Sequence, residues 1–283
     1  MDVTDQRRHL TGVAYRMLGT TADAEDAVHE TFARWYRLSE AERAAVDRPA
    51  AWLTRVVSRV CLDLLGSARV RRERYVGEWL PEPVPAGAVD DPAERAALGN
   101  SVGLALLVVL ETLTPAERVV FVLHEVFAVP FGEIAEAVGR SPAACRQLAT
   151  SARRRVDAAR AHAPAPARRD AVVRAFAAAC AGGDLAALVS LLDPDVVLRS
   201  DGGGLVSAAR NPVRGAVQVA RFLLGLVAKH PDVVLEEVTT GDGVGYAWRH
   251  DGTIRGVLTL GVAGDRPTDV WIVLNPEKLR HWG

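Results

Sequence analysis

Arginine is the side chain this sequence uses in clusters. Six fall within residues 52–75 (Arg55, Arg59, Arg69, Arg71, Arg72, Arg74) against Asp63 and Glu73, and six within residues 140–160 (Arg140, Arg146, Arg153, Arg154, Arg155, Arg160) against Asp157 alone. A guanidinium fork pairs bidentately with phosphate or with guanine, so both stretches suit nucleic acid. Residues 21–30 invert the sign, with Asp23, Glu25, Asp26 and Glu30 and no Lys or Arg, a face suited to a basic protein. The formal net charge of −1 thus hides charge that is sorted by segment. Covalent chemistry is served less well. Asp201, His250, Asp251 and Asp269 could act as acids or bases, but no pair stands out by spacing. The Asp-Gly-Gly-Gly run at 201–204 lacks the lysine of a phosphate-cradling loop. Cys61, Cys145 and Cys180 are odd in number and form no C-x-x-C spacing, so they read as buried small side chains. No catalytic residue, metal site or cofactor is expected.

The elements that must position these residues follow from periodicity. Apolar residues at helical spacing (Leu10, Val13, Met17, then Ala24, Ala27, Val28, Phe32, Trp35) give two helices over residues 5–38, broken at Gly-Thr-Thr-Ala-Asp. Pro49 opens a further helix whose apolar face is expected at Trp52, Val56, Val60 and Leu64, with arginines outside and at its end. Aromatic rings beside arginines accept unstacked bases, although tryptophans at helical spacing serve equally well as core. Helix resumes at Pro92. Thr114-Pro115-Ala116-Glu117 is a capping box with proline at the first helical position. A short helix over 131–138, a Gly139-Arg140-Ser141 turn and a capped helix from Pro142 make a helix-turn-helix. Arg146 and Gln147 then face base edges, with Arg153, Arg154 and Arg155 where phosphates lie; a solvated arginine face on an ordinary bundle is the plain alternative.

Between these helical parts lies Trp79-Leu80-Pro81-Glu82-Pro83-Val84-Pro85, within a stretch whose prolines at 81, 83, 85 and 92 exclude helix. It is either a stiff spacer or a polyproline segment that something holds, with Trp79 as buried anchor and Glu82 seeking Lys278, Arg280 or glycine-loop amides. Ala-Pro-Ala-Pro-Ala at 163–167 reads as a second stiff spacer. Beyond it, helices over 168–181 and up to 192, and over 215–229, accompany alternating apolar segments that read as a mostly antiparallel sheet, an α+β unit. No apolar run reaches the roughly 18 residues a membrane helix needs, and Met1-Asp2-Val3-Thr4-Asp5 is unlike a signal peptide. A cytoplasmic protein that does not meet the membrane is expected.

Residues 23–37 followed by 48–75 resemble region 2 of the extracytoplasmic-function (ECF) sigma factors of RNA polymerase, and residues 113–156 resemble their region 4, in the family's order and spacing. The tail resembles the SnoaL-like domains, cone-shaped α+β folds. Three short runs, Trp79 to Pro85, Asp201-Gly202-Gly203-Gly204 and Asn275-Pro276-Glu277-Lys278-Leu279, resemble signatures of the sigma factors that carry this tail, with Glu277 standing where the usual form has Asp. The resemblance implies a multidomain chain: two all-α sigma domains, the second with the helix-turn-helix, and a SnoaL-like α+β domain. The expected division is 1–76 region 2, 77–98 linker, 99–162 region 4 and 163–283 regulatory domain. It implies two partners, core RNA polymerase met by Asp23, Glu25, Asp26 and Glu30, and promoter DNA. Arg48, Trp52, Arg55 and Arg59 would hold the minus-ten element as single strand. Arg140, Ser141, Arg146, Gln147 and Arg153 to Arg155 would read the minus-thirty-five element. The tail would regulate in cis by gripping the linker, in place of a separate anti-sigma factor, in a chain that is monomeric when free. Two rivals remain: an enzyme or ligand sensor of the SnoaL-like class fused to a DNA-binding unit, and a helix-turn-helix factor that acts without polymerase.

Overall fold

The structure, a computed structural model, describes residues 3–73, 75–88 and 103–282, with side chains in 68–73 left out of the description. The helix start expected at Pro92 and the linker end expected at 98 therefore lie outside the described residues, as do Arg74 and the side chains of Arg69, Arg71 and Arg72. Two compact units emerge. One is helical and contains residues up to 73 and from 106 to 158; the other contains residues 75–88, 103–105 and 159–282.

In the helical unit, α1 (Arg7–Leu18) and α2 (Thr21–Arg37) meet across a tight corner where Thr20 caps α2 by accepting from Asp23 N. They pack against α4 (Pro49–Glu73). The buried stripe of α4 is Leu53, Val57, Val60, Cys61 and Leu65, so the expected stripe of Trp52, Val56, Val60 and Leu64 is corrected by about one residue. At 100° per residue, Leu53 stands about 200° from Arg55 while Trp52 stands only about 60° from it. Solvating Arg55 and Arg59 therefore turns the Leu53 row inward and leaves Trp52 and Val56 half-buried on the flank. Residues 40–44, read only as polar, form the short helix α3 (Glu40–Ala44), closed by a Ser39–Glu42 capping box that the Ser-x-x-Glu spacing announces.

The chain continues through α5 (Leu104–Leu110) and α6 (Pro115–Phe121), whose Thr114–Glu117 capping box forms as expected, and then a π-helical turn over Val122–Val126. Arg118, 3% exposed, ties this part to α1. It donates to Met17 O at 3.0 Å and Leu110 O at 2.9 Å, and pairs with Glu111 at 2.6 Å. Burial lowers its pKa to about 10, still far above neutrality, so it stays charged. The helix-turn-helix is α7 (Phe131–Val138), the Gly139 turn and α8 (Pro142–Arg160), with Ile134, Cys145, Ala149, Ala152 and Val156 buried. Ser141 Oγ caps α8 by accepting from Ala144 N at 3.2 Å.

The second unit opens with α9 (Pro166–Gly182), in which Pro166 occupies the first turn. The stiff spacer expected over 163–167 therefore stops at Ala165, because proline needs no amide partner there. After α10 (Leu185–Leu191) come β1 (Val197–Asp201), the short and unforeseen β2 (Val213–Arg214), α11 (Ala216–Lys229), β3 (Val234–Thr240), β4 (Gly243–His250), β5 (Thr253–Ala263) and β6 (Arg266–Val273). The order is β2-β1-β6-β5-β4-β3, with β1 and β6 parallel and all other neighbours antiparallel. One face carries Leu198, Val244, Leu260, Val270 and Ile272 into a core with Val173, Phe176, Leu188, Val219 and Leu223 of the helices. Strand alternation sends Arg199, Asp201, Thr259, Trp271 and Val273 to the other face. Among the described residues no helix is long and apolar enough to cross a membrane.

The α4 register is testable. Leu53→Ala should destabilise the helical unit by about 2–5 kcal/mol, and Val56→Ala by under about 1.5 kcal/mol, in urea unfolding followed by far-ultraviolet circular dichroism.

Candidate nucleic-acid interface and strap clamp

On α2, Glu25 and Asp26 are exposed, as a docking face requires. Asp23 is engaged at the helix cap, accepting from Thr20 Oγ1 at 2.8 Å, and Glu30 pairs with Arg34 at 2.8 Å. On α4 and its approach, Arg59 is exposed, and Trp52 packs edge-on against Trp35 with ring centroids 5.2 Å apart. Arg48 pairs with Glu133 at 2.8 Å and Arg55 with Glu136 at 2.5 Å, both carboxylates belonging to α7. The acidic side of the helix-turn-helix thus sits on the arginines of α4, within one compact unit.

On α8 and the turn that leads into it, Arg140, Ser141, Arg146, Gln147 and Arg154 are exposed. The Arg146 guanidinium lies 5.5 Å from the Phe131 ring centroid. Arg153 forms a two-pronged pair with Glu125, and Arg155 donates to Thr112 O at 3.2 Å and approaches Glu117 at 3.4 Å. Arg48 and Arg153 are more than half-exposed, so their pairs are each worth at most about 1 kcal/mol, whereas Arg155 meets a buried carboxylate.

In the second unit, residues 75–86 form a strap bound to the α+β fold. Its centre is Asp201, the last residue of β1 and fully buried. Its carboxylate accepts from Tyr75 OH at 2.6 Å, Gly203 N at 3.0 Å, Leu80 N at 2.9 Å and Lys278 Nζ at 2.7 Å. Lys278 Nζ also donates to Leu80 O at 2.5 Å, and lies 4.3 Å from the Trp79 ring centroid and 5.2 Å from that of Tyr75. The buried ammonium is thus answered by a carboxylate, a carbonyl and two aromatic faces.

The other expected residues complete the enclosure. Asn275 Nδ2 donates to Tyr75 OH at 3.0 Å, while its Oδ1 accepts from Glu277 N and shapes the terminal turn. Gly203 has φ +64°, and a Cβ there would lie 2.5 Å from the Asn275 amide, so only glycine closes this corner. Gly202 packs against Val206 O, and Gly204 against Val76. Leu80, Pro81, Glu82 and Pro83 are buried, as is Leu279, while Pro276 and Glu277 are exposed. Further along, Trp282 Nε1 donates to Pro83 O at 2.8 Å, Pro85 bridges to Thr240, and Ala86 N donates to Thr239 O at 3.0 Å.

One expectation is corrected. Trp79 is half-buried and the fully enclosed anchor is Leu80, because the indole ring lies over the Lys278 ammonium and leaves one side open. Glu82, for which Lys278, Arg280 or glycine-loop amides were the expected partners, is buried with His281 Nε2 at 3.9 Å. Tyr75 and Trp282 escaped the sequence reading. The signal for both was an unassigned aromatic beside a recognised run.

Family models match in the same order: Sigma-70 region 2 over residues 3–71, Sigma-70 region 4 over 103–156 and a SnoaL-like domain over 173–274. The ECF RNA polymerase sigma factor SigJ of Mycobacterium tuberculosis is 49% identical over 228 residues, 79% of this chain and 72% of SigJ. The chain belongs to the ECF sigma factors. SigI of the same species, described as a probable ECF RNA polymerase sigma factor, is 37% identical over 277 residues, 96% of this sigma factor and 92% of SigI. The crystal structure of M. tuberculosis SigJ superposes with a TM-score of 0.76 at 36% identity, covering 99% of each chain. The sigma factor therefore has two helical sigma domains followed by a SnoaL-like α+β domain with a sheet.

The clamp is testable at its centre. Asp201→Ala leaves a buried lysine without its counter-ion, so strap closure should weaken by about 3–5 kcal/mol, read as faster hydrogen exchange at the Leu80 amide. Alkaline pH should loosen the wild-type strap too. Burial, and then the Asp201 hydrogen bond, push the Tyr75 phenol well above its usual value. Its contribution is whole below the unfolded value of about 10 and is lost as pH rises above that, so Leu80 protection should fall beyond about pH 10 in wild type and not in Tyr75→Phe.

Proposed function

We propose that this sigma factor gives core RNA polymerase its promoter recognition through two arginine faces. The α4 face, with Arg48, Trp52, Arg55 and Arg59, takes the minus-ten element as single strand. The α8 face, with Arg140, Ser141, Arg146, Gln147, Arg153, Arg154 and Arg155, takes the minus-thirty-five element in its major groove. Asp23, Glu25, Asp26 and Glu30 form the polymerase-facing side of α2, led by the exposed Glu25 and Asp26. The working division remains 1–76, 77–98, 99–162 and 163–283. The α+β domain regulates in cis by holding the strap that lies between the two reading helices, a task that needs no separate anti-sigma factor. The free chain is monomeric and acts in the cytoplasm, where the polymerase is.

The observation that carries the regulatory part is the Asp201 carboxylate with its four donors, two of them from the strap. The same geometry speaks against an enzymatic reading. Asp201 already accepts from four donors and Asp269 pairs with Arg199 at 3.1 Å, which favours holding roles over acid or base roles for these two carboxylates, while His250 Nε2 lies 3.4 Å from the exposed Asp251. The ion pairs of Arg48 and Arg55 with α7 support a free form whose α4 face is covered until polymerase and DNA compete for it.

The deciding experiment is reconstitution with purified core polymerase. The chain should co-purify with it and start transcription at defined promoters, and failure to bind core would sink the proposal. Glu25→Lys with Asp26→Lys should weaken core binding at least about tenfold. Arg146→Ala should relax discrimination at its base by about 1–3 kcal/mol. Trp79→Ala, and truncation after Ala167, should each change output; unchanged transcription in both would remove the regulatory role. Tight, steeply salt-dependent duplex binding by the chain alone would favour a factor independent of polymerase.

A further inference from the structure

The tip of the β3–β4 hairpin holds the chain at a second place. Its turn is rigid: Thr240 Oγ1 donates to Gly243 O at 3.0 Å and accepts from Asp242 N at 3.2 Å. The Asp242 carboxylate is partly buried and accepts from Ala105 N at 3.3 and 3.2 Å, with the Leu104 amide as a further donor. These are the first residues of α5, whose leading amides have no partner inside the helix. Position 103 is shaped to this contact, since a Cβ on Gly103 would stand 1.9 Å from Asp242 Oδ1 and 2.6 Å from Asp242 N. Burial raises the Asp242 pKa, while Arg169, the two amides and Arg160 pull it back.

The same hairpin binds the strap end, through Thr239 and Thr240 to Ala86 and Pro85. Two residues apart, Thr240 and Asp242 are separated by no more than about 7 Å. The sixteen residues 87–102 could by themselves span about 50 Å if extended. The two holds, at Pro85 and Ala86 and at Ala105, are thus made by one hairpin within three residues of each other on it.

We propose that Asp242 is a positioning residue for promoter recognition: by holding residues 103–105 beside the anchored strap, it fixes the entry of the first region 4 helix and so the spacing between promoter elements that the sigma factor accepts. The proposal rests on the strap reading above and extends it to a residue outside the three signature runs. It also accounts for glycine at 103.

Two measurements test it. Hydrogen exchange on the full chain should show the Ala105 amide at least about fivefold less protected in Asp242→Ala, the scale of a lost helix cap, and nearer wild type in Asp242→Asn, whose amide oxygen still accepts. In reconstituted transcription on promoters whose spacer varies in single base-pair steps, Asp242→Ala and Gly103→Ala should each flatten the ratio between best and neighbouring spacers about threefold or more. Output at the best spacer should stay within about twofold. A merely destabilised protein lowers output at every spacer alike. Gly103→Ala breaks the hold from outside the sheet, so it carries the test if Asp242→Ala fails to fold. Unchanged Ala105 exchange, or wild-type spacing profiles in both variants, would overturn the proposal. Lys278→Ala separates it from its foundation: a changed profile there alone leaves the strap reading standing, and none in any variant removes both.

Discussion

A buried carboxylate is among the most unfavourable things a fold can contain unless it is fully hydrogen-bonded, and the α+β unit places one, Asp201, at the end of β1. Everything around it answers that constraint. Of its four donors only the Gly203 amide comes from its own loop; Tyr75 and Leu80 come from the strap and Lys278 from the C-terminal turn. Three segments distant in sequence must therefore converge for the charge to be satisfied, and removing any one exposes the others to an unpaired buried ion. Such an arrangement adds little net stability over an apolar core but discriminates sharply between closed and open. That property suits a grip that has to be either made or released.

The strap itself is suited to binding because little is lost in ordering it. Prolines at 81, 83 and 85 hold the backbone near the extended geometry it adopts when bound, so less conformational entropy is forfeited than for a flexible segment of the same length. Leu80 supplies apolar burial, and the carbonyls of Leu80 and Pro83 are taken by Lys278 and Trp282. Recognition rests largely on backbone groups, with two aromatic rings, Tyr75 and Trp79, laid by a cation. The glycine corner at 203 completes it, because the Asn275 amide occupies the space a side chain would need.

How far this was legible in the sequence depends on the range of the interactions. Helix ends were readable to within a residue or two because caps are local: Thr114–Glu117, Ser141–Pro142 and the Gly139 turn each declare themselves within a few positions. The three signature runs could be associated with one another through family resemblance, and they do converge. Which atom meets which could not be read, since Lys278 and Glu82 are complementary on paper yet are engaged by Asp201 and His281. The α4 register slipped for a similar reason: rows 52/56/60 and 53/57/61 are both apolar, and only the need to solvate Arg55 and Arg59 on the opposite side separates them. Asp242 gave no signal, because a Thr-Gly-Asp-Gly turn is what any hairpin uses, and its partner at Gly103 is far away in sequence.

The helical unit raises the complementary question of how the face proposed to meet DNA can be covered and still be available. Arg48 and Arg55 are held by Glu133 and Glu136 through contacts that are partly solvated, so water and salt already screen them. Under the proposed reading, a phosphate backbone would offer the same arginines denser negative charge along with the release of condensed counterions, an exchange that would favour DNA once it is brought near. The apolar and buried contacts, by contrast, do not exchange: Arg118 on Met17 O and the α4 stripe hold regardless of what the surface does. The unit thus separates a permanent interior from a replaceable polar cover. Weak cover is what the proposed function requires, a subunit that leaves DNA alone when free and accepts it when polymerase raises the effective concentration of the promoter.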